Sequence, residues 1–550
     1  MKLQEAMARA FVAEGVTDVF GMTGGSNIVW QGVLEELGTR FYQVRHEGAG
    51  LAMADGWARM RGTPGVCTTT GGPGAAQLAT TMIVAARART PLVAFCGDTP
   101  SGDHHNAQYM EQQRFAAAIE AGFVRIHSAE EVYSAVQRAF YLARTQSRPI
   151  MLNLPGELSA ASVDDLDEYV PSSELIDRQP PVHPHPDALA RAAGVISKSS
   201  RPVLIVGRGA ISSGAGPQVR ALADRIGALI ATTLMAKNWL GDHPYHVGVS
   251  GLFATRTAIE LFQESDCVIA VGSSLNQYTT EHGYLFPDAR FIQIDTERFP
   301  VMGDGRAADV VVHAEASLAL DGILELLEGI ANHGYHDRAT EDRISHATDD
   351  PKEYSIPEGT LDPRVAVRVL DAAMPAEIGM VLGGGQQNHF GIMLANRQRS
   401  WLLPNLHFAC IGQGLTTAMG AIIAKGSVPA FLMEGDGGFM MHLAEFETAV
   451  RYQIPLFVAV LNDQGYGAEY HAYAGMEDVN VDVVTISSPD LGAVGRALGG
   501  GGTLVTTREE LHRAARAFAA DPAPTLVDVR IARDVMSPPN RRRHLGDPDA

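Results

Sequence analysis

The stretch 430–438, which reads Ala-Phe-Leu-Met-Glu-Gly-Asp-Gly-Gly, decides which fold this sequence predicts. Its four leading apolar residues are typical of a buried strand, and the glycines that follow allow a backbone to approach a bulky anion. Apolar residues then recur at helical spacing over 441–453, so we expect a helix whose N-terminus faces the same anion. The pattern predicts a strand, a phosphate-type site and a helix, in that order.

A second apolar run, 456–461, predicts a parallel strand beside the first and is followed by Asn462 and Asp463. Strand, helix and strand form one βαβ unit, which brings Asp436 and Asp463 to the same edge of the sheet. Two carboxylates beside a diphosphate suit Mg²⁺, which prefers oxygen ligands. The alternative is a glycine-rich turn between two ordinary strands.

Length, charge and cysteine content limit the class of protein. The chain has 550 residues, too many for one hydrophobic core, and two to four domains are expected. Its 43 basic and 63 acidic residues give a net charge of −20, which makes nucleic acid and anionic membranes poor partners. Residues 1–15 lack the apolar core of a signal peptide and no later run is long enough to span a bilayer, so we expect a cytoplasmic protein. The four cysteines are predicted to be buried free thiols.

Short apolar runs alternate with helical patterns in three parts of the chain, which is typical of parallel sheets covered by helices on both faces. We therefore predict an α/β protein with three doubly wound parallel-sheet domains, at 1–165, 186–335 and 358–535. The predicted linkers are 166–185, rich in proline and aspartate, and 336–357, which is charged and lacks periodicity. For the tail, 536–550, the sequence leaves open whether it is disordered or folds over the site. The predicted strands are 16–20, 41–44, 65–70, 91–96, 149–154, 201–207, 229–233, 267–271, 291–294, 379–382, 430–433 and 456–461.

The third-domain pattern resembles the Gly-Asp-Gly…Asn-Asn motif of thiamine diphosphate (ThDP) enzymes. The resemblance implies that Asp436 and Asp463 bind the Mg²⁺ that anchors the cofactor diphosphate, with the carbonyl of Gly465 as third protein ligand. Asp463 departs from the family, which usually has a neutral Asn there, although Mg²⁺ accepts oxygen ligands of either kind. The three domains would be a pyrimidine-binding, a central Rossmann-like and a diphosphate-binding domain. Further residues implied to contact the cofactor are Gly435, Gly437, Gly438 and Tyr466.

Glu47 in the first domain follows a predicted strand in the context Arg45-His46-Glu47-Gly48. In ThDP enzymes a Glu in this context hydrogen-bonds the aminopyrimidine ring and so favours loss of the thiazolium C2 proton. The Gly-Pro-Gly loop around Pro73 resembles the family loop that packs against this Glu. The alternatives are a favourable helix-dipole contact for Glu47 and a plain turn at Pro73. Together with the third-domain motif, the resemblance favours a catalytic Glu47.

Two more third-domain segments resemble loops that hold the cofactor in this family. Gln386 and Gln387 lie in what resembles the outer diphosphate loop. In the second segment, the Ala409 carbonyl would accept from the cofactor amino group, and Ile411 would be the bulky residue that bends the cofactor into a V shape. An isolated apolar residue at this point would otherwise belong to the core.

The segments that would surround the substrate resemble those of acetohydroxyacid synthases. Ser26, which ends a Phe-Gly-Met-Thr-Gly-Gly-Ser run, would face the reacting carbon. Tyr109 falls on a Phe of those enzymes, and Met110 falls on their catalytic Gln. Because that substitution removes an amide from the pocket, Gln112 or Gln113 is predicted to compensate.

Glu469 and His471 follow the metal loop, residues 463–467, and are the only close acid–imidazole pair on that segment. We predict that this pair supplies the proton that the reaction needs near neutral pH. A solvated helix face is the alternative. If neither residue acts, Gln112, Gln113 and His105 are the next candidates.

The central domain carries Gly207-Arg208-Gly209 after a predicted strand, but its third glycine comes late and no acidic residue ends the next strand. FAD is therefore not expected to bind there. Acetohydroxyacid synthases bind FAD in this domain and contact their substrates with an Arg and a Trp. Those two positions are Tyr278 and Ala472 in this chain, which argues against acetohydroxyacid synthesis itself.

The resemblance implies a ThDP- and Mg²⁺-dependent enzyme similar to acetohydroxyacid (acetolactate) synthase and benzoylformate decarboxylase. It would decarboxylate a small 2-oxo acid and pass the product to a proton, an aldehyde or a ketone. Its site would lie between subunits of a homodimer or homotetramer. Three alternatives stay open: an enzyme that cleaves 2-hydroxyacyl-CoA or oxalyl-CoA, with residues 541–543 holding a CoA phosphate, a flavin-dependent oxidase, and a non-catalytic ThDP-binding paralogue.

Overall fold

Three six-stranded sheets organise the computed structural model, which describes residues 1–164, 166–177, 180–297, 301–348, 350–474, 476 and 478–547. Every strand pair that it describes within these sheets is parallel. The predicted fold class, an α/β protein with three parallel-sheet domains, is confirmed.

The first sheet belongs to the N-terminal part of the chain. Its strands are β1 (Asp18–Gly21), β2 (Arg40–Gln43), β3 (Gly65–Thr69), β4 (Leu92–Gly97), β5 (Gly122–Arg125) and β6 (Pro149–Leu154). The helices around it are α1 (Leu3–Ala13), α2 (Ile28–Glu36), α3 (Glu47–Arg61), α4 (Pro73–Ala76), α5 (Ala79–Ala88), α6 (Gln112–Ala118) and α7 (Val132–Gln146). The strand order is β2-β1-β3-β4-β6-β5.

The second sheet follows a short helix, α8 (Ser172–Leu175), in the first predicted linker. Its strands are β7 (Pro202–Val206), β8 (Leu229–Thr232), β9 (His246–Val249), β10 (Cys267–Val271), β11 (Arg290–Asp295) and β12 (Val310–His313). Its helices are α9 (Pro186–Ile196), α10 (Arg208–Ser212), α11 (Gly216–Ile226), α12 (Arg256–Gln263), α13 (Gln277–Thr280) and α14 (Ala316–Leu326). The strand order is β12-β11-β10-β7-β8-β9.

The second predicted linker contains a helix, α15 (Arg338–Ser345), which begins where the Asp337 side chain accepts from the backbone N–H of Thr340. The third sheet's strands are β13 (Gly379–Leu382), β14 (Leu402–Pro404), β15 (Ala430–Gly435), β16 (Leu456–Asn462), β17 (Gly501–Val505) and β18 (Thr525–Arg530). Its helices are α16 (Pro363–Ala373), α17 (Gln387–Leu394), α18 (Gly414–Ala424), α19 (Asp436–Met441), α20 (Glu445–Arg451), α21 (Gly467–Tyr473), α22 (Leu491–Ala497) and α23 (Arg508–Ala520). The strand order is β14-β13-β15-β16-β18-β17.

The first and third sheets have the same strand order, counted from the first strand of each. In this order the direction of winding reverses between the first and third strands, β1 and β3 in one sheet and β13 and β15 in the other. Ligands of open α/β sheets bind beyond the carboxyl ends of the strands at such a switch point. The fold therefore places one candidate binding crevice at the ends of β1 and β3 and another at the ends of β13 and β15.

The first and third domains share one hydrophobic core. It contains Met53 and Trp57 of α3 together with Leu415 and Met419 of α18, all of them buried. The central domain has separate cores on the two faces of its own sheet. The pairing of the first and third domains within one chain is thus built on apolar contact between two helices.

The tail is folded as far as the structure describes it. It forms α24 (Pro538–Asn540) and a π-helical turn, Arg541–Leu545. Arg541 is 2% exposed, and its side chain makes ion pairs with Asp350 and Asp547. The alternative of a disordered tail is therefore wrong for residues 536–547, whereas residues 548–550 lie outside the described part.

Several smaller expectations can be compared with the structure. Cys67, Cys96 and Cys267 are buried free thiols as predicted, and Cys410 is free but only half-buried. Residue 165 of the first predicted domain, residues 178 and 179 of the first linker and residue 349 of the second lie outside the described residues. Across the part of the chain that is described, no helix is both long and apolar enough to cross a membrane.

Candidate active site

The third-domain half of the site lies at the ends of β13, β15 and β16. The register pairs Gly435 with Leu461, so the residues that follow both strands leave the sheet at the same edge. The single helix predicted over 441–453 is wrong: the structure has two helices, α19 (Asp436–Met441) and α20 (Glu445–Arg451), separated by a break. The break coincides with a hydrogen bond of 2.6 Å between His442 Nδ1 and the carbonyl of Gly412. The helix N-terminus consequently lies at Asp436 itself.

Asp436 and Asp463 are 3% and 8% exposed, respectively. Ser488 Oγ donates to Asp436 Oδ2 at 2.9 Å. Burial raises the pKa of Asp463 to about 7, and the neighbouring Asp436 carboxylate adds to this rise. Burial also raises the pKa of Asp436. Two buried like charges without a compensating cation disfavour each other's ionisation, so the pair is suited to a divalent cation.

The donor set fits a hard metal that is shared with a ligand. Among the described residues, no group of three or more His, Cys, Asp or Glu side chains converges on one point. A cation held by Asp436 and Asp463 would therefore need other oxygen ligands, such as a backbone carbonyl and phosphate oxygens. Mg²⁺ is usually bound by one or two carboxylates together with substrate phosphates. The predicted carbonyl ligand of Gly465 is compatible with this arrangement and stays a prediction.

The glycines of these loops are required by close approach of side chains. A Cβ on Gly435 would lie 2.6 Å from Gln387 Nε2, and one on Gly437 would lie 2.9 Å from Tyr466 Cε1. Gln386 and Gln387 are both buried, and the Oε1 atom of Gln386 has no hydrogen-bond partner among the described residues. The loops thus bring amide groups and glycine backbone together at the edge that carries the two aspartates.

The loop that contains Ala409 and Ile411 precedes α18. Ala409 has a φ of 54°, a left-handed conformation that is uncommon for a residue with a Cβ. Ala409 is exposed and Ile411 is half-buried. Strain of this kind is often found at ligand-binding loops, so the backbone geometry is consistent with the predicted cofactor contact.

The first-domain half of the site lies at the ends of β2 and β3. Glu47 is the first residue of α3, and a Cβ on Gly74 would lie 3.3 Å from Glu47 Oε1, so the Gly-Pro-Gly loop packs against this carboxyl group. The backbone N–H groups of Arg45 and His46 both donate to Glu445 Oε1 at 2.9 Å. Glu445 of the third domain therefore fixes the turn that presents Glu47.

The predicted substrate residues lie along the same edge of the first sheet. Ser26 Oγ is 3.3 Å from Thr70 Oγ1, and a Cβ on Gly97 would lie 2.2 Å from Ser26 Cβ. A Cβ on Gly72 would lie 2.2 Å from the carbonyl oxygen of Gln108, which precedes Tyr109 and Met110. The loops after β1, β3 and β4 therefore meet at this edge, as their candidate role in substrate binding requires.

Gln112, Gln113 and His105 differ in how freely their side chains could contact a substrate. Gln112 is 2% exposed and its Nε2 donates to the Gly97 carbonyl at 2.8 Å. Its amide nitrogen is thus already hydrogen-bonded to the last residue of β4. Gln113 and His105 are exposed. A catalytic part for any of the three stays a prediction.

Glu469 and His471 do not form a pair. Glu469 is exposed, whereas His471 is 2% exposed and its Nε2 hydrogen-bonds the carbonyl of Arg533 at 2.7 Å. Residues two apart on a helix point in different directions, and α21 contains both side chains. The interpretation as an acid–imidazole pair is therefore wrong. A catalytic part for either residue alone stays a prediction.

Four residues near the site had no role in the sequence-based prediction. They are Ser488, Glu445, Arg533 and Glu434. Glu434 could have been identified from the sequence, because a charged residue at the end of an apolar strand is unusual. Glu434 is 1% exposed, and burial raises its pKa to about 8. The other three contact residues that are distant from them in sequence: Glu445 contacts Arg45 and His46, Ser488 contacts Asp436, and Arg533 contacts Asp463.

Tyr278 of the central domain and Arg541 of the tail are relevant to two of the alternative functions, acetohydroxyacid synthesis and cleavage of an acyl-CoA. Tyr278, which the resemblance aligns with a substrate-binding Arg of acetohydroxyacid synthases, is 65% exposed. Arg541 donates from Nη1 and Nη2 to the Asp350 carboxylate at 2.9 and 3.0 Å. Because its charge is already neutralised in a buried pair, Arg541 is not available to a CoA phosphate as the alternative supposed.

Comparison with protein families defines the class. The chain matches the models described as "Thiamine pyrophosphate enzyme, N-terminal TPP binding domain" over 1–121, "Thiamine pyrophosphate enzyme, central domain" over 189–323 and "Thiamine pyrophosphate enzyme, C-terminal TPP binding domain" over 383–529. Thiamine pyrophosphate is another name for ThDP. Together the three models cover most of the sequence in the order that the three sheets follow. The chain belongs to the thiamine pyrophosphate enzyme family.

Individual relatives are similar over nearly the whole chain. One is a "Probable acetolactate synthase large subunit" of Methanocaldococcus jannaschii, 27% identical over 96% of this chain and 92% of the relative. A second is an "Acetolactate synthase large subunit" of Parasynechococcus marenigrum, 29% identical over 96% and 87%. A third is a "Sulfoacetaldehyde acetyltransferase" of Castellaniella defragrans, 27% identical over 100% and 96%.

Proposed function

We propose that the chain is a ThDP- and Mg²⁺-dependent enzyme that breaks or forms a carbon–carbon bond next to a carbonyl group. It would decarboxylate a small 2-oxo acid and transfer the remaining fragment to a proton, an aldehyde or a ketone. The observation that carries the proposal is the buried pair Asp436 and Asp463 beside glycine loops, in a chain that also has Glu47 packed against Gly74.

The roles of the chain's own residues follow from this arrangement. Asp436 and Asp463 would hold Mg²⁺, and the Gln386 and Gln387 amides would bind diphosphate oxygens. When bound, ThDP supplies the thiazolium carbon that adds to a substrate carbonyl. Glu47 would hold a proton at the aminopyrimidine ring, which is a general acid–base task suited to a partly buried carboxyl group. Ser26 and the loop around Met110 would face the substrate.

The relatives' names support the general reaction type but not one reaction. Both kinds of named relative are similar to this chain at nearly the same identity. Tyr278 and Ala472, which replace an Arg and a Trp of acetohydroxyacid synthases, favour a substrate pair other than that of acetolactate synthesis. The donor is proposed as a 2-oxo acid, and the acceptor is left to experiment.

Assembly is part of the proposal. Exposed apolar side chains lie on the segments that follow Asp436 and Asp463 in sequence, and such side chains favour contact with another protein surface. They are Met440, Met441, Tyr466, Tyr473, Met476 and Val483, with exposed fractions of 41%, 59%, 39%, 45%, 54% and 76%. We propose that a second copy of the chain covers them in a homodimer or homotetramer, with Glu47 of one subunit serving the metal site of the other.

A substrate screen tests the proposed function. Purified protein with ThDP and Mg²⁺ is incubated with a panel of 2-oxo acids, alone and with aldehyde acceptors, and CO₂ and product are measured. A parallel panel contains 2-hydroxyacyl-CoA and oxalyl-CoA. The proposal expects CO₂ release from a 2-oxo acid that disappears without ThDP and in Glu47→Gln. Turnover of the acyl-CoA compounds alone would favour the alternative of an enzyme that cleaves 2-hydroxyacyl-CoA or oxalyl-CoA. Turnover that does not depend on ThDP would contradict the proposed function.

A further inference from the structure

Arg533 lies shortly after β18, and all three of its guanidinium nitrogens are hydrogen-bonded near the metal loop, residues 463–467. Its Nε and Nη2 donate to the carbonyl of Asp463 at 2.9 and 2.5 Å. Nη2 also donates to the carbonyl of Gln464, and Nη1 donates to Thr485 Oγ1 at 2.7 Å. One side chain therefore ties two consecutive carbonyls of the metal loop to a neighbouring segment.

The metal loop needs such support because its backbone is strained. Gln464 has a φ of 59°, which is left-handed and uncommon for a residue other than Gly, Asn or Asp. Conformations of this kind persist only where the surrounding structure holds them. The carbonyl of Gln464 also accepts from Ile486 N at 2.8 Å. Arg533 and the segment around Thr485 thus hold the loop on one side.

Arg533 is itself held in place. Its carbonyl is hydrogen-bonded by His471 Nε2 at 2.7 Å, and its guanidinium lies over the ring of Tyr470 at 5.3 Å. Both residues belong to α21, which directly follows the metal loop. The loop and the helix after it are therefore fastened to the same arginine, one through its side chain and the other through its backbone. This gives His471 a positioning task that sequence did not suggest.

We propose that Arg533 is a positioning residue for the metal site: it fixes the backbone of Asp463 and Gln464 so that the Asp463 carboxylate meets Mg²⁺ beside Asp436. The inference rests on the proposed function, because it presumes that the two aspartates bind Mg²⁺. Residues that orient metal ligands typically contribute about 10- to 100-fold to metal affinity. The forked guanidinium is needed, since a lysine ammonium is one point charge and cannot bond two carbonyls and a hydroxyl in a fixed plane.

The test compares Arg533→Met and Arg533→Lys with a matched control, Arg530→Met. Arg530 lies three residues earlier, and its side chain donates to the Asp528 carboxylate and the Pro489 carbonyl; among the described residues neither of these bonds reaches 463–467. Amide hydrogen exchange of residues 463–467 is measured without cofactor or metal, and the Mg²⁺ concentration for half-maximal binding is measured by calorimetry at saturating ThDP. We expect faster loop exchange and about a tenfold or greater rise in that concentration for both Arg533 variants, and neither change for Arg530→Met.

Each outcome has a distinct meaning. If Arg533→Met reaches half-maximal Mg²⁺ binding at the wild-type concentration, the inference is wrong. If Arg533→Lys alone recovers the wild-type concentration, the positive charge of residue 533 is sufficient and the forked shape of the guanidinium is not needed. If the Arg533 variants do not fold, Thr485→Val removes one anchor of the guanidinium and should give a smaller rise of the same sign. Absence of Mg²⁺-dependent ThDP binding in the wild type would count against the proposed function, and the exchange comparison would still decide whether Arg533 holds the loop.

Discussion

Asp463 lies beside Asp436 at the ends of two adjacent parallel strands, close enough that the charge of Asp436 helps to raise the pKa of Asp463. An asparagine at position 463 would relieve that repulsion while keeping an oxygen ligand. We therefore expect Asp463→Asn to retain Mg²⁺-dependent ThDP binding, whereas Asp436→Ala abolishes it. Titration calorimetry of both variants checks this. Loss of binding in Asp463→Asn together with retention in Asp436→Ala would show that the ligand assignment is wrong.

Glu47→Gln should leave the fold intact and slow the chemistry. The amide keeps the size of the side chain but no longer holds a proton for the pyrimidine ring, and general acid–base groups contribute about 10²- to 10⁴-fold. Proton exchange at cofactor C2, measured by NMR after acid quenching, is expected to slow by about that factor with an unchanged thermal midpoint. Unchanged exchange would make Glu47 structural.

Co-expression of Glu47→Gln and Asp436→Ala subunits tests whether the two halves of a site come from different chains. In a mixed two-fold dimer one site carries both substitutions and the other carries none. With random pairing we expect about a quarter of wild-type activity from two parents that are each inactive. If both halves of each site belonged to one chain, mixing would restore nothing and the proposed assembly would be contradicted.

Lys237 provides a pH-dependent test of the fold. It is 5% exposed, donates to Asn238 and Asn396 at 2.9 Å, and burial lowers its pKa to about 7. Below pH 7 the Lys237 amine is protonated in both the folded and the unfolded chain, so the free-energy cost of burying its charge does not change with pH. Between pH 7 and about 10.4 only the unfolded chain binds the proton, so rising pH relieves the cost and stabilises the fold.

Replacing Lys237 with Met removes that pH dependence. The unfolding free energy of Lys237→Met relative to wild type should fall by on the order of 3 kcal/mol between pH 7 and pH 10. Denaturant unfolding at several pH values measures it, with the exposed Lys198→Met as control. A constant difference across this range would mean that Lys237 stays charged in the folded protein.

Much of the fold could be predicted because interior strands of parallel sheets are continuous apolar runs. β15 and β16 are buried at every position, and both were predicted to within two residues. The sequence did not single out six strands: β18, which is an interior strand, and β5, β9, β12, β14 and β17, which all lie at sheet edges. Edge strands are short and partly exposed, so their apolar signal is weak: β17 reads Gly-Gly-Thr-Leu-Val, and only its last residue is buried.

The site was predictable only where its residues belong to local motifs. Asp436 and Asp463 directly follow strands, and Glu47 lies just beyond the turn after β2, so a local sequence pattern marks all three. Ser488 contacts Asp436 across 52 residues of sequence, and Arg533 contacts the Asp463 carbonyl across 70. Such partners are set by tertiary packing, which a single sequence does not display. For the same reason, the nearness of Glu469 to His471 in sequence suggested a pair that the turn of the helix separates.

The central claim is that the two buried aspartates bind ThDP through Mg²⁺. The most direct measurement is a calorimetric titration of ThDP into the wild-type protein, once with Mg²⁺ and once with a chelator. Two carboxylates repel a diphosphate unless a cation lies between them. The account predicts saturable binding with Mg²⁺ and none that is measurable with chelator. Equal ThDP affinity under both conditions would contradict it.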